Sequence, residues 1–197
     1  MSRALIFAGG DAPDAEVVKS NVRPDDLVIA ADGGLAGVLG CGVNPNVIIG
    51  DLDSAPSELV QLAKMRGAEV MDFPTRKDRT DLELALILTE ERGIAEIVIF
   101  GGLGGRLDHA VANLLLITGH SQALVRLVSS DSEVMTVRGR TVVRGQAGDT
   151  VTLLAVSERA TGVQTEGLEY ALRNGVLTRG STLGVSNVMT GEEASVT

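Results

Sequence analysis

Aromatic residues are scarce in this sequence of 197 residues, making up 2% of it, and tryptophan is absent. Hydrophobic residues nevertheless account for 44%, which excludes a disordered chain. The core must therefore be built from aliphatic side chains. The length is sufficient for a sizeable core in one large domain or two small ones.

Cysteine is rarer still, with Cys41 as the single example, so an intrachain disulfide is excluded and a reducing compartment is indicated. No apolar run approaches the roughly 20 residues of a membrane-spanning helix. The N-terminus lacks the basic region, apolar stretch and cleavage site of a signal peptide. We therefore expect a cytoplasmic protein that does not enter a membrane.

Basic residues are outnumbered by acidic ones: 17 Lys and Arg against 26 Asp and Glu give a formal net charge of −9. Such an acidic chain disfavours nonspecific binding to nucleic acid and to anionic membranes. Anionic small molecules are still possible ligands, provided that a local basic patch or a metal ion receives them.

The first two-thirds of the sequence alternates short apolar runs with helical patterns. Strands are predicted at 4–7, 27–30, 47–49, 69–72, 97–100 and 124–128, and helices at 58–66 and 82–92. Thr80 and Glu83 form a capping-box pattern before the second helix, and Gly93 suits its end. Asp108 is predicted to cap a further helix that runs to Ile117. Alternation of this kind indicates an α/β fold with a parallel sheet covered by helices on both faces.

After about Ser130 the pattern changes to short strands and glycine-containing turns. Strands are predicted at 135–137, 150–156, 163–165 and 184–189, without a convincing helix. The sequence thus predicts two domains: an α/β catalytic domain at 1–129 and a small all-β domain, of sandwich or barrel type, at 130–197.

Carboxylates follow the predicted third strand and precede the clearest helix. Asp51 and Asp53 could converge on a hard cation such as Mg²⁺, which prefers oxygen ligands and commonly joins carboxylates to substrate phosphates. Asp81 lies in the run 76–81, where Lys77 could meet a phosphate at the helix N-terminus. Taken singly, each segment is equally compatible with a solvated turn or a salt-bridged loop.

A glycine-rich loop follows the predicted fifth strand. Gly104 and Gly105 permit close approach of a ligand to the backbone, and the next helix offers free N–H groups. Arg106 adds a planar group suited to phosphate. Because ligands bind at the carboxyl ends of parallel strands, we expect this loop and the carboxylates to lie along one edge of the sheet. Together they predict a metal–polyphosphate site.

Read together, these segments resemble the thiamine pyrophosphokinase family in kind and order over nearly the whole chain. The segments that carry the resemblance are Asp32-Gly33-Gly34, Pro45, Gly50-Asp51-x-Asp53-Ser54, Lys77-Asp78-x-Thr80-Asp81, Gly104-Gly105-Arg106-x-Asp108-His109 with Asn113, Gly167-Leu168-x-Tyr170-x-Leu172, and Ser186-Asn187.

The resemblance implies transfer of the pyrophosphoryl group of ATP to the hydroxyl of thiamine, giving thiamine diphosphate and AMP. It implies a β-sandwich as the second domain and a homodimer with thiamine sites at the subunit interface. By matching motif, Mg²⁺ would be held by Asp51, Asp53 and Asp81, with Asp32 in the same cleft. The ATP side would comprise Lys77, Asp78, Thr80, Gly104, Gly105, Arg106 and Asp108.

The same resemblance places Ser186 and Asn187 against the aminopyrimidine ring of thiamine. Some relatives have an aromatic residue shortly after this pair, where it can stack on thiamine. This sequence has Val188, Met189 and Thr190 instead, and Met189 is a candidate for a soft apolar contact.

Two alternatives stay open. Pyrophosphoryl transfer to another alcohol, such as a hydroxymethylpterin, would use the same aspartates and the Lys77–Asp81 motif, although the segments around Tyr170 and Asn187 favour thiamine. A nucleotide or thiamine diphosphate sensor without turnover is the third reading. The intact carboxylates argue against it, because a sensor does not need a complete set of metal ligands.

Overall fold

The computed structural model describes residues 3–12, 14–53, 55–119 and 123–197. These residues form two compact units, Met1–Thr136 and Val137–Thr197. Ser54, which follows Asp51 and Asp53 in the sequence, lies outside the described residues. None of the described helices is long and apolar enough to cross a membrane.

A seven-stranded sheet forms the centre of the first unit. Its strands lie in the order β4-β3-β2-β1-β5-β6-β7, and all pairs are parallel except β6 with β7. Their bounds are β1 Arg3–Phe7, β2 Leu27–Ala31, β3 Val47–Gly50, β4 Glu69–Asp72, β5 Glu96–Phe100, β6 Leu124–Val128 and β7 Glu133–Met135.

Within the described residues, five helices connect these strands: α1 Ala15–Asn21, α2 Gly34–Gly40, α3 Ser57–Met65, α4 Asp81–Glu91 and α5 Leu107–Gly119. Side chains of β1 alternate between two buried clusters, with Ile6 in one and Leu5 in the other. The cluster of Ile6 includes side chains of α4 and α5, whereas that of Leu5 includes side chains of α1, α2 and α3. Both faces of the sheet are therefore covered, which explains its continuously apolar strands.

Helix α4 has the boundaries that its sequence signals predict. The hydroxyl of Thr80 accepts a hydrogen bond from the backbone N–H of Glu83 at 3.2 Å, as expected of an N-cap residue. At the other end Gly93 has φ +64°, and the N–H of Ile94 bonds to the carbonyl of Thr89 at 3.0 Å. The helix predicted at 82–92 is thus confirmed within one residue.

Two local predictions for this part of the chain differ from the structure. Residues 133–135 pair antiparallel with β6 as the edge strand β7, instead of beginning the second domain, so the boundary between units falls after Thr136 and not after 129. The pairing is reinforced by Arg126, which donates to Glu133 at 2.7 Å. Asp108 lies in the first turn of α5 and does not cap it, because that helix begins at Leu107.

The second unit consists of short antiparallel strands: β8 Thr141–Arg144, β9 Thr150–Val151, β10 Arg159–Val163, β11 Thr165–Glu166, β12 Gly175–Thr178, β13 Asn187–Val188 and β14 Glu193–Val196. They pair as β11-β14-β8, β10-β12 and β13-β9, and residues 137–197 contain no helix. The all-β prediction is confirmed. The strands predicted at 150–156 and 184–189 are shorter, because only two residues of each enter a ladder.

Gly34 provides a test of how closely α2 approaches β1. A Cβ atom at this position would overlap the carbonyl oxygen of Phe7, whereas a Cβ at Gly40, in the same helix, would have no heavy atom within 4 Å. We expect Gly34→Ala to lower the free energy of unfolding by more than about 2 kcal/mol, since backbone must shift to admit the methyl group.

The matched variant Gly40→Ala should raise the free energy of unfolding by about 0.5–1 kcal/mol, because alanine favours the helix over glycine. Urea denaturation followed by circular dichroism measures both. Equal effects of the two substitutions would show that α2 does not pack on β1 as closely as described.

Candidate active site

Three carboxylates meet at the carboxyl ends of neighbouring strands. Asp32 follows β2, and Asp51 and Asp53 follow β3, with which β2 pairs in parallel. One carboxylate oxygen from each lies within 4.8 Å of the others. Asp32 and Asp51 are half-buried and Asp53 is exposed, so the cluster is open to solvent on one side. This carboxylate cluster has the donor type and spacing to hold a hard divalent cation.

Asp81 approaches the same place from the start of α4. A Cβ atom built on Gly50 would lie 3.0 Å from Oδ1 of Asp81 and 3.1 Å from Cβ of Asp32. Both side chains therefore lie close to the position that a side chain at residue 50 would occupy. Oδ1 of Asp81 also lies 3.0 Å from Nζ of Lys77, so this carboxylate forms an ion pair next to the cluster. Its role as a metal ligand stays a prediction.

Asp51 is kept ionised by its surroundings. Burial works against the charged form, but hydrogen bonds from Thr75 and from the backbone N–H of Asp53 oppose it. The positive charge of Lys77 acts in the same direction, and the balance holds the pKa of Asp51 below its usual range. The surroundings of this side chain therefore favour the charged form, which is the form that binds a cation.

The backbone at the cluster is strained. Among the described residues, four that are not glycine have positive φ, and two of them are Asp32 at +43° and Leu52 at +58°. A third is Ser186 at +57°, in the second unit. Such conformations cost about 1–2 kcal/mol each and persist where surrounding structure enforces them. Their presence at predicted site residues supports a functional reading of both places.

The segment before α4 places the positively charged side chain of Lys77 next to the carboxylate of Asp81. The side chain of Lys77 is mostly buried and pairs with Asp81, four residues later. The hydroxyl of Thr80 caps the helix, and Asp78 is exposed. The start of α4 thus combines the positive end of a helix dipole with the nearby charge of Lys77, and both favour an anion.

The glycine-rich loop after β5 packs against the residues that follow β1. The N–H of Gly10 bonds to the carbonyl of Gly101 at 2.9 Å, and that of Asp11 to the carbonyl of Leu103 at 3.2 Å. A Cβ atom on Gly104 would overlap the carboxylate of Asp11. Asp11 therefore lies at this edge too, although it is not among the predicted site residues. The same Gly-Asp pattern at a strand end that marked Asp32 was present there.

Arg106 and Asp108 form a close pair at the start of α5. Nε and one terminal nitrogen of Arg106 donate to the carboxylate of Asp108 at 3.1 and 2.6 Å. These hydrogen bonds lower the pKa of Asp108 and raise that of Arg106. Both side chains are largely exposed. A guanidinium has five N–H donors and this pair uses two, so Arg106 can be oriented by Asp108 and still donate to a phosphate.

The order of strands sets the distance between the glycine-rich loop and the carboxylate cluster. The loop after β5 and the carboxylate cluster at the end of β3 are separated by two intervening strands, β1 and β2. At about 4.8 Å per strand the separation is roughly 14 Å. A ligand that reaches both must be extended along the edge, as a nucleotide with a polyphosphate chain is.

The pair predicted to contact thiamine lies in the second unit. Ser186 is exposed, and its backbone N–H bonds to the hydroxyl of Thr152 at 3.1 Å. Asn187 is only 4% exposed, and its amide group bonds to the backbone of Tyr170. Met189, proposed as a soft apolar contact, is 2% exposed and packs in the core of this unit, so that expectation is wrong.

The fold and the clustered carboxylates define an α/β protein with its site at the carboxyl edge of a parallel sheet, followed by a small β domain. Two family models match the chain: the catalytic domain of thiamin pyrophosphokinase over residues 18–128 and its vitamin B1 binding domain over residues 140–197. The chain belongs to the thiamine pyrophosphokinase family.

Curated relatives agree with this assignment. Thiamine pyrophosphokinase of Bacillus subtilis is 30% identical over 191 residues, which cover 95% of this chain and 89% of that protein. Thiamine pyrophosphokinase 1 of Oryza sativa subsp. japonica is 27% identical over 164 residues, 78% of this chain. The match spans only 62% of the rice protein's length.

Solved structures show the same fold over the full chain. The crystal structure of thiamine pyrophosphokinase from Bacillus subtilis has a TM-score of 0.87 at 26% identity and covers 100% of this chain and 94% of that one. The enzyme of the same name from Geobacillus thermodenitrificans has a TM-score of 0.83 at 28% identity, with 100% and 92% covered.

Asp53 offers a direct test of cation binding. We expect Asp53→Asn to weaken binding of Mg²⁺ at least about tenfold, because an anionic oxygen is replaced by a neutral one in a site of few ligands. The free energy of unfolding should change by less than about 0.5 kcal/mol, since the side chain is exposed and the substitution is isosteric. Titration calorimetry with Mg²⁺ and ATP measures the affinity.

Asp25→Asn is the matched control, because Asp25 is equally exposed but precedes β2, at the opposite edge of the sheet. It should bind Mg²⁺ like the unmodified protein. Unchanged affinity in Asp53→Asn would remove Asp53 from the set of metal ligands.

Proposed function

We propose that this chain is a thiamine pyrophosphokinase, which transfers the β,γ-pyrophosphoryl group of ATP to the hydroxyl of thiamine and releases AMP. The observation that carries the proposal is the cluster of Asp32, Asp51 and Asp53 beside the ion pair of Lys77 and Asp81. The family models and the relatives described above name thiamine, not a pterin.

Mg²⁺ fits the carboxylate cluster, whose three acceptors are close enough to share one ion. We propose Asp51, Asp53 and Asp81 as its holders, as the matching motif implies, with Asp32, which supplies the third carboxylate of the cluster, at the same cleft. When bound there, the ion would supply positive charge that offsets the charge of the polyphosphate. The ionised state of Asp51 at neutral pH supports this role.

The ATP side is proposed to comprise Lys77, Asp78, Thr80, Gly104, Gly105, Arg106 and Asp108. Lys77 and Arg106 would donate to phosphate oxygens, and the glycine loop would admit the nucleotide close to the backbone. Asp108 would act by holding the guanidinium of Arg106 in place. Thr80 would contribute by fixing the start of α4 through its cap.

In the reaction, the hydroxyl oxygen of thiamine attacks the β-phosphorus of ATP in line with the bond that breaks. The new bond joins that oxygen to the β-phosphorus, and the α,β-bridging oxygen leaves with AMP. The hydroxyl proton passes to a carboxylate, for which Asp32 and Asp81 are the candidates at the cleft. Positioning and electrostatic stabilisation supply most of the acceleration in phosphoryl transfers of this kind.

AMP release is the experiment that tests the proposed function. With ATP, Mg²⁺ and thiamine, we expect AMP and thiamine diphosphate to form in equal amounts, as measured by chromatography. EDTA should abolish the reaction, and a hydroxymethylpterin in place of thiamine should give no acceleration of AMP release. Absence of thiamine-dependent AMP from protein whose circular dichroism shows it to be folded would contradict the proposal.

We also propose a cytoplasmic homodimer, as the family resemblance implies. The single cysteine suits a reducing compartment. Leu107, Val111 and Leu115 recur every four residues on one face of α5 and are 78%, 48% and 59% exposed, which leaves apolar surface for a second copy.

The dimer is tested by light scattering coupled to gel filtration. The mass expected at micromolar concentration is twice the 20.4 kDa of the chain. Leu115→Glu should shift the mass toward that of one chain, because it places a charge in the apolar face, whereas the exposed Glu91→Gln in α4 should not. A mass of one chain at every concentration of the unmodified protein would contradict the proposal.

A further inference from the structure

The side chain of Asn187 is almost fully committed to backbone hydrogen bonds. Its Oδ1 accepts from the N–H of Tyr170 at 3.0 Å and from the N–H of Val188 at 2.9 Å. Its Nδ2 donates to the carbonyl of Tyr170 at 2.8 Å. The two N–H donors at Oδ1 fix the orientation of the amide. Both acceptor positions of Oδ1 and one of the two Nδ2 hydrogens are therefore already used.

This pattern leaves Asn187 poorly suited to contact a substrate ring itself. Its exposure of 4% means that a bound molecule could touch it only at a small area. An aminopyrimidine donor would find no vacant lone pair on Oδ1. The neighbouring Ser186, by contrast, is exposed.

Tyr170 is held by Asn187 at both backbone groups, yet its side chain is 66% exposed. The adjoining segment is also fixed, since the N–H of Glu169 bonds to the carbonyl of Val188 at 2.9 Å and Leu168 forms a bridge with Met189. A large apolar ring is thus displayed to solvent from a backbone that cannot move freely. An exposed aromatic side chain on an anchored backbone is suited to a binding surface.

We propose that Asn187 is a positioning residue: it holds the backbone of Tyr170 so that the tyrosine ring offers its face to thiamine, and it does not bind thiamine itself. The inference rests on the proposed function. Thiamine consists of two aromatic rings, one of which, the thiazolium, carries a positive charge. Such a cation is attracted to the face of a tyrosine ring.

The composition of the chain provides a direct readout. Tyr170 is the single tyrosine and there is no tryptophan, so tyrosine fluorescence reports on this ring alone. Thiamine should quench this fluorescence at saturable concentrations, after correction for absorption by thiamine. In Asn187→Ala the fluorescence anisotropy of Tyr170 should fall, because its backbone is released.

In steady-state kinetics, Asn187→Ala should raise the KM for thiamine about tenfold, the scale expected for loss of a stacked cation–aromatic contact. The KM for ATP and kcat should change less than about threefold. Tyr170→Phe should resemble the unmodified protein, since the ring is retained, and Tyr170→Ala should resemble Asn187→Ala. An unchanged thiamine KM in Tyr170→Ala would overturn the proposal, even where Asn187→Ala does not fold.

A double-mutant cycle distinguishes positioning from direct contact. If Asn187 acts through the ring, adding Asn187→Ala to Tyr170→Ala should raise the thiamine KM no further. If Asn187 bonds to thiamine itself, the two effects should multiply, and that result would overturn the proposal.

Thr165→Val is the matched control for general loss of stability. Its hydroxyl accepts from the N–H of Leu172 at 2.7 Å, and its side chain is buried, so the variant loses a similar hydrogen bond in the same segment without touching Tyr170. The thiamine KM and the anisotropy of Tyr170 should stay within about twofold of the unmodified values. Effects equal to those of Asn187→Ala would overturn the proposal.

The experiments distinguish a wrong assignment of the positioning role of Asn187 from a wrong proposed function. Turnover with thiamine, combined with multiplying effects in the cycle, would remove only the positioning role of Asn187. Absence of turnover would remove the proposed function, and thiamine quenching of Tyr170 would then decide this inference: no quenching in the unmodified protein overturns it.

Discussion

The absence of a side chain at Gly50 is the constraint on which the arrangement of the carboxylates depends. This residue ends β3 with φ +145°, a conformation that side chains rarely adopt. A Cβ atom here would lie within about 3 Å of both Asp81 and Asp32, closer than side chains normally pack. Its carbonyl also accepts from the N–H of Phe73, which ties the end of β4 to the same point. The end of β2, the end of β4 and the start of α4 can therefore converge on Gly50, the residue that precedes Asp51.

Convergence of carboxylates has an electrostatic cost, which other features of the site offset. Asp81 is paired with Lys77, and Asp51 receives hydrogen bonds from Thr75 and from the backbone that stabilise its charge. The strained backbones at the cluster are held by strands that lie in the core of the sheet. Negative charge that is retained in this way supports the proposal that the cluster holds a cation.

Much of the first unit could be predicted from the sequence because its signals are local. The apolar runs of β1 to β6, and the Thr80 cap and Gly93 stop of α4, each act within a few residues. Helices α1 and α2 were not predicted, since each has only seven residues and α2 contains three glycines, which weaken a helical pattern. Strand β7 exists through its pairing with β6, which no local pattern encodes.

The residues of the site show the same difference between local signals, which the sequence reveals, and long-range pairing, which it does not. Asp51 and Asp53 were predictable as a pair because they directly follow a buried strand, and the shared edge of a parallel sheet predicted that other strand-end residues would lie nearby. The position of Asp32 within the cluster depends on the pairing of β2 with β3. The partner of Asn187 lies 17 residues away in sequence, so its amide could be assigned to Tyr170 only from the structure.

The most direct measurement is anomalous diffraction from crystals that contain Mn²⁺ in place of Mg²⁺ and a non-hydrolysable ATP analogue. We expect an anomalous peak about 2.1 Å from carboxylate oxygens of Asp51 and Asp53, with a phosphate oxygen of the nucleotide in the same coordination sphere. A well-ordered nucleotide whose metal ion contacts no carboxylate of the cluster would contradict the assignment of this edge of the sheet as the catalytic site.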